Sequence, residues 1–130
     1  MKVVLVHGVF DLLHVGHLEH LKQARAMGDH LVVSVVDDKY AIKGKPIYSQ
    51  RERVKLLWAL RCVDHVVLCG APGPEKVIRK WEPDLYVRGS DYRGKRMPES
   101  DLLESLGIKV RYKRSVPPRT GEVIERIKCR

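Results

Sequence analysis

Five short, mostly apolar segments alternate with segments of helical periodicity along this chain of 130 residues, and the alternation restricts the fold more than any other feature. Runs rich in β-branched residues are typical of strands buried on both faces of a parallel sheet, and parallel strands need right-handed crossovers through helices. The sequence therefore predicts one α/β domain over residues 1–130: a single doubly wound, Rossmann-like, five-stranded parallel sheet with helices on both faces. The predicted strands are residues 2–6, 31–36, 65–68, 84–87 and 108–112.

Local sequence rules place the helices between these strands. Ser49 and Glu52 form a capping box at the start of the second helix, and Pro74 occupies the first turn of the third. Because Trp58 and Trp81 fall at apolar helical positions, we expect both side chains in the core. The other predicted helices are residues 17–27, 98–106 and 121–127.

Four loops follow predicted strands and are expected to form the binding edge of the sheet. The carboxyl ends of parallel strands meet at one edge, and ligands of open α/β sheets bind in the crevice beyond them. We therefore expect the binding residues in these loops, which are residues 8–16, 37–48, 88–97 and 115–120.

The charge of the chain favours anionic partners. Its 25 Lys and Arg residues against 16 Asp and Glu give a net charge of +9, which suits nucleotides, phosphorylated metabolites or nucleic acid without choosing among them. Its three cysteines include no Cys-x-x-Cys pair, so neither a disulfide framework nor a zinc knuckle is indicated. No apolar run approaches the roughly 20 residues of a membrane span, and residues 2–6 are too short for a signal peptide, so we expect a cytoplasmic protein without a membrane partner.

His14 and His17 lie three residues apart at the start of the first predicted helix, where their side chains share one face. The backbone N–H groups of a first helical turn have no partner within the helix, and they attract phosphate. Two imidazoles beside those donors could stabilise the charge that develops on a phosphorus centre during in-line attack, while Gly16 lets a phosphate approach the backbone. The plainer alternative is a pair of surface histidines without a function.

A metal site is a second alternative for this helix. His14, His17 and His20 recur at three-residue intervals, so a zinc or nickel ion could be held on one helical face. No cysteine or carboxylate completes a convincing ligand set, so we predict no metal ligands among the site residues. His20 is then a surface residue.

Several segments carry a resemblance to a known family. Arg53 and residues 61–64 are similar to the middle of glycerol-3-phosphate cytidylyltransferases, and residues 83–92 are similar to a segment of heptose-1-phosphate adenylyltransferases. The loop after the first strand resembles the HxGH-type nucleotidyltransferase family almost residue for residue. The positions that match there are Gly8, Phe10, Asp11, His14, Gly16 and His17.

The resemblance implies roles for the first two loops. His14 and His17 would hold the triphosphate, and Asp11 would order the loop or contact the acceptor. Lys43 and Lys45 would close over the phosphates as point charges. The alternative for the two lysines is a solvated basic loop.

Further residues are implicated on the remaining loops. Arg61, at the end of the second helix, could reach phosphate or base, or could interact with the helix dipole. Arg88, Gly89 and Asp91 would contact the ribose or base, or form a plain turn. The predicted catalytic residues are His14, His17, Lys43, Lys45 and Arg119, and the predicted nucleotide-binding residues are Gly8, Val9, Phe10, Asp11, Gly16, Arg61, Arg88, Gly89, Asp91 and Thr120.

The C-terminal segment departs from the family pattern, in which an arginine precedes a Ser/Thr-rich turn that binds triphosphate. Here Arg119 and Thr120 remain, but the turn is shorter and Glu122 adds an acid. A carboxylate near a triphosphate is unfavourable unless it points away or helps to hold the metal. The sequence therefore predicts altered triphosphate binding.

The resemblance implies transfer of a nucleoside monophosphate from a nucleoside triphosphate to a phosphorylated sugar or polyol, with release of pyrophosphate and with Mg²⁺ bound to the triphosphate. The base is left open between ATP and CTP, and we favour adenylyl transfer to a sugar phosphate. One alternative is a cytidylyltransferase acting on glycerol 3-phosphate or a related alcohol phosphate. Another is a catalytically weakened nucleotide-binding or nucleic-acid-binding regulatory module, suggested by the basic residues 111–114. The resemblance also implies a homodimer, although no segment identifies an interface.

Overall fold

The computed structural model describes residues 1–41, 45–114 and 120–128, with only the backbone described at residue 91 and at residues 120–123. Five strands alternate with five α-helices, and short 3₁₀ helices occupy Asp38–Tyr40 and Ser90–Tyr92. The strands are β1 (Val3–Gly8), β2 (His30–Val35), β3 (His65–Leu68), β4 (Leu85–Gly89) and β5 (Lys109–Lys113). The helices are α1 (Val15–Arg25), α2 (Gln50–Trp58), α3 (Glu75–Trp81), α4 (Ser100–Ser105) and α5 (Thr120–Lys128).

All five strands are parallel and lie in the order β3-β2-β1-β4-β5, which confirms the predicted sheet. In the centre of the sheet, Val6 is level with Val33 of β2 on one side and with Val87 of β4 on the other. From β1 the chain adds β2 and β3 on one side, and it then crosses back to add β4 and β5 on the other side. Such a change of direction between β1 and β4 opens a crevice at the carboxyl ends of these strands.

The core lies on both faces of the sheet because successive side chains of each strand point to opposite sides. On the face covered by α1 and α2, Val6 packs in a cluster with Leu21 and Leu57. On the face covered by α3 and α4, Leu5 packs in a cluster with Ile78 and Leu103. The prediction of helices on both faces is therefore confirmed. Among the described residues, no helix is long and apolar enough to cross a membrane.

Helix starts follow from capping side chains. The Ser49 hydroxyl accepts the N–H of Glu52 at 3.2 Å, and the Glu52 carboxylate accepts the N–H of Ser49 at 3.0 Å, which confirms the predicted capping box. The first helix begins two residues earlier than predicted, at Val15, because the side chain of His14 caps it. The segment 88–97, predicted as loop, contributes its first two residues to β4 and three more to a 3₁₀ helix.

The prediction that Trp58 lies in the core is wrong, since its side chain is 47% exposed. Within α2 the buried positions are Arg53 and Leu57, so the next residue points away from the sheet. There the Trp58 indole meets the His65 ring edge-on, with 5.1 Å between ring centroids. Trp81 does pack against the core, as predicted.

Candidate functional site

The two histidines of the first loop form a capping box at the N-terminus of α1. His14 is the N-cap residue, and its Nδ1 accepts the N–H of Gly16 at 3.0 Å. His17 Nδ1 accepts the N–H of His14 at 3.3 Å, and the two ring centroids are 4.0 Å apart. Because each Nδ1 accepts a backbone hydrogen, each neutral ring carries its own hydrogen on Nε2. The pair thus presents two imidazole N–H donors.

Some of the backbone N–H groups that the sequence predicted to be unpaired beside the histidines have partners within the helix start. The His14 side chain accepts from Gly16 and, within the capping box, from the backbone of His17. Two first-turn donors are therefore already engaged.

The His17 side chain is uncharged at neutral pH. Its pKa is lowered from 6.5 to about 4, mainly by burial and also by the neighbouring His14, His20 and Lys113, against a smaller opposing effect of Asp11. A neutral imidazole donates a hydrogen bond without bringing a positive charge. Any charge that compensates a bound phosphate must come from other residues.

The loop between β1 and α1 has a strained backbone that folds back on itself. Phe10 and Leu12 have φ angles of 55° and 49°, in the left-handed region that bulky residues rarely adopt. A Cβ added to Gly8 would lie 3.1 Å from a ring carbon of Phe10, so the ring would have to shift by a few tenths of an ångström to admit a larger residue. The Phe10 ring packs against the core, and its centroid is 5.9 Å from that of His17.

Asp11 ties this loop to the one that follows β2. Its carboxylate oxygens accept the N–H of Ile47 at 2.8 Å and the N–H of Tyr48 at 2.9 Å. Of the two roles left open by the sequence, the contacts observed are those that order the loop. The second loop is held beside the histidines in this way.

Arg53, which is absent from the predicted site residues, is the buried connection among these segments. Its side chain is 0% exposed. The guanidinium donates to the carbonyls of Val9 at 2.7 Å, Val36 at 2.8 Å and Tyr48 at 3.1 Å, and to the Asp38 carboxylate at 2.7 Å. Arg53 thus joins the end of β2 to both loops. Its spacing of four residues from Leu57, which places both on one face of α2, is the sequence feature that could have identified it.

At the end of β4, Arg88 lies next to β1. One Nη1 donates to the carbonyl of His7 at 3.2 Å, and the guanidinium carbon lies 4.1 Å from the centroid of the Tyr92 ring. Its Nε is buried without a hydrogen-bond partner in the described part of the chain.

His7, near the end of β1, is a second buried group at this edge. Burial and the charge of Arg88 lower the pKa of His7 to about 4, and His7 Nδ1 is hydrogen-bonded to the Ser34 hydroxyl at 2.9 Å. His7 was not predicted.

The remaining predicted residues differ in position. Gly89 ends β4 at the crevice, Asp91 lies in the 3₁₀ helix that follows, and Thr120 is the first residue of α5; the side chains of the last two are not described. Lys45 is exposed on the second loop. Lys43 and Arg119 lie outside the described residues.

The structure does not bring Arg61 to this edge. Arg61 is exposed in the connection between α2 and β3. Three residues later, Asp64 accepts the N–H of Leu31 at 2.8 Å, which fixes the connection beside the start of β2. The helix runs antiparallel to the strands, so its last turn lies at the opposite edge of the sheet from the histidines.

The described residues do not fit a resident metal ion. Within residues 1–41, 45–114 and 120–128, no group of three or more His, Cys, Asp or Glu side chains is arranged to hold one. The Nδ1 atoms of His14 and His17 are committed to backbone N–H groups, which also argues against the zinc or nickel alternative. A separate cavity of about 310 Å³ lies between α4 and β5 and contains none of the predicted site residues.

Most of this chain matches known proteins in sequence. Residues 5–116 match the family model described as cytidylyltransferase-like. Bifunctional protein HldE of Syntrophotalea carbinolica is 41% identical over 130 residues, which cover 96% of this chain and 26% of that protein. HldE of Helicobacter pylori (strain J99) is 38% identical over 98% of this chain and 28% of its own length. The chain thus spans about a quarter of the length of these relatives.

Solved structures show the same fold. The lipopolysaccharide core biosynthesis protein from Thermoplasma volcanium superimposes with a TM-score of 0.72 at 34% identity, over 92% of this chain and 99% of that one. Pantoate-beta-alanine ligase from Francisella tularensis, at 18% identity and a TM-score of 0.59, over 92% of this chain and 61% of that one, shares the fold alone. The match over residues 5–116 covers most of the sequence. The chain therefore belongs to the cytidylyltransferase-like family of nucleotidyltransferases.

Proposed function

We propose that this chain transfers a nucleoside monophosphate from a magnesium-bound nucleoside triphosphate to the phosphate of a sugar phosphate, releasing pyrophosphate. The observation that carries the proposal is the histidine capping box, which fixes the orientation of both imidazole rings at the carboxyl edge of the sheet. Similarity to the HldE proteins supports a sugar phosphate as acceptor.

In the proposed reaction, an anionic phosphate oxygen of the acceptor attacks the α-phosphorus in line. A new P–O bond forms, the bond to the β-phosphate breaks, and pyrophosphate leaves with the electron pair and its Mg²⁺. The acceptor oxygen is already deprotonated, so no general base is required. The Nε2–H groups of His14 and His17 would stabilise the charge that builds on the transferred phosphoryl group, and catalysis would consist of positioning and electrostatics.

The other predicted residues would surround the triphosphate. Lys43, Lys45, Arg119 and Thr120 would contact the pyrophosphate portion, and the backbone from Gly8 to Gly16 would approach the α-phosphate. Arg88, Gly89 and Asp91 would contact the ribose or base. Arg61 is not included, because it lies at the opposite edge of the sheet.

The second candidate is cytidylyl transfer to glycerol 3-phosphate, which the cytidylyltransferase-like match favours. Thermal-shift measurements with the magnesium complexes of ATP, CTP, GTP and UTP would identify the nucleotide, since a ligand that binds only the native state raises the melting temperature. Pyrophosphate release would then be assayed with sugar 1-phosphates and with glycerol 3-phosphate. We expect release with ATP and a sugar 1-phosphate.

A regulatory module that binds nucleic acid is less well supported. Of the basic stretch 111–114, Arg111 and Arg114 are exposed, but Lys113 is buried, so the stretch does not present a continuous basic surface. Absence of pyrophosphate release with every pair of substrates, together with tight binding of oligonucleotides, would favour that module over the enzyme. Sedimentation at several protein concentrations would test the homodimer.

A further inference from the structure

Lys113 is a buried cation at the carboxyl end of β5, and none of the roles described above uses it. Side chains two residues apart on a strand share a face, so Lys109, Arg111 and Lys113 point to the same side of the sheet. Val110, between them, packs in the cluster on the α3 and α4 side, which assigns the three cations to the α1 side. Lys109 and Arg111 are exposed, whereas Lys113 is only 9% exposed.

The surroundings of Lys113 are those of the histidine pair. It is level with Gly89 at the end of β4, and its charge is among those that lower the pKa of His17. Neither an ion pair nor a hydrogen bond joins its ammonium to any side chain that the structure describes. Burial and the nearby Arg88 guanidinium lower its pKa from 10.5 to about 8, so it remains mostly protonated at pH 7.

Among the side chains that the structure describes, no carboxylate pairs with this ammonium. A buried ammonium that has a second cation nearby and no counter-ion is destabilising. The cost is recovered when an anion binds. The His17 imidazole supplies a hydrogen bond but no charge, because it is neutral at pH 7. A rigid strand end also fixes the position of a cation better than a loop does.

We propose that Lys113 is a further phosphate-binding residue of the active site: its ammonium, at the end of β5 and on the α1 side of the sheet, binds a phosphoryl group of a substrate and supplies a positive charge beside the histidines. The inference rests on the proposed function, because the phosphoryl group is taken to belong to the triphosphate or to the acceptor. The two sources present the same chemistry to the lysine, and different probes separate them.

The test compares Lys113→Met with wild-type protein by calorimetric titration of inorganic pyrophosphate, for the triphosphate, and of glucose 1-phosphate, for the acceptor. We expect Lys113→Met to weaken binding of one probe about tenfold or more, as loss of a charge-assisted hydrogen bond implies. Lys113→Arg should retain most of the affinity. Lys109→Met, on the same face of the same strand but exposed, is the matched control and should bind like the wild type.

The melting temperature of Lys113→Met without ligand distinguishes a binding role from a structural one, because loss of a structural contact would lower it. Removing an unpaired buried charge should leave it unchanged or raise it. A Lys113→Met protein that melts lower, fails to fold, or binds both probes as the wild type does would overturn the assignment. If the wild-type protein binds neither the probes nor a magnesium nucleotide, the proposed function is overturned as well. If Lys113→Met leaves nucleotide binding unchanged, the proposed function still holds.

Discussion

Arg53 is the side chain whose removal should disturb the molecule most outside the apolar core. It is fully buried and donates to three carbonyls and one carboxylate. These acceptors lie just after β2 and on the two loops beside the histidines. Substituting methionine keeps the length and apolar volume of the side chain but removes all of these bonds. The acceptors of Val9, Val36, Tyr48 and Asp38 then lose their partner.

The magnitude follows from how many of those acceptors can regain water. Hydrogen bonds from a charged donor contribute about 1.5–3 kcal/mol each, but a simple sum over four overestimates the effect. The carboxylate of Asp38 is 27% exposed and can be rehydrated, whereas the bond to Val36 is buried. Breaking a buried charged interaction by removing one partner costs about 3–5 kcal/mol, and we expect Arg53→Met to fall in that range.

Urea unfolding measures this loss directly. With a slope of about 1.5 kcal/mol per molar, the unfolding midpoint should fall by about 2–3 M. Arg51→Met removes an exposed arginine two residues earlier in the same helix, and its free energy of unfolding should change by less than about 0.5 kcal/mol. An Arg53→Met protein within about 1 kcal/mol of the wild type would refute the reasoning that the guanidinium holds the two loops.

Two further predictions concern β1 and its neighbours. The native pKa of His7 is about 4 and its unfolded value is about 6.5, so the unfolded chain binds more protons between these values. The free energy of unfolding should therefore fall as the pH drops from about 6.5 to about 4. Urea titrations at several pH values should show a smaller fall for His7→Gln than for the wild type. An equal fall in the two proteins would contradict the assigned pKa. A Cβ on Gly28 would lie 2.6 Å from Cγ2 of Val4. Gly28→Ala should therefore destabilise the protein by about 1–3 kcal/mol in the same assay. An unchanged free energy of unfolding would show that the turn can shift at little cost.

The fold was accessible from the sequence because its determinants are local. Apolar β-branched runs and the capping box of Ser49 and Glu52 act within a few residues, and parallel strands then leave few connections to choose from. Family membership was equally accessible, because the string from Gly8 to His17 is continuous in the chain. The predicted burial of Trp58 was wrong because helical spacing alone did not reveal that the adjacent Leu57 faces the sheet and Trp58 does not.

The site was less accessible because its supporting contacts join distant segments. Arg53 meets Val9 and Val36, which are 44 and 17 residues away, so its burial is set by tertiary structure. Lys113 lies in a basic stretch whose composition is typical of a solvated surface, and its burial depends on how β5 packs against the neighbouring elements. The histidine cap was missed because histidine is not among the usual N-cap residues.

The central claim is that neutral imidazole donors at the start of α1 stabilise the transferred phosphoryl group. The most direct measurement is the turnover number for formation of the nucleoside diphosphate sugar, compared among wild type, His17→Ala and His30→Asn. His30 starts β2 at the opposite edge of the sheet and serves as the control. We predict that His17→Ala lowers kcat by about 100-fold or more with the fold retained, while His30→Asn stays near the wild type. An unchanged kcat for His17→Ala would contradict the account.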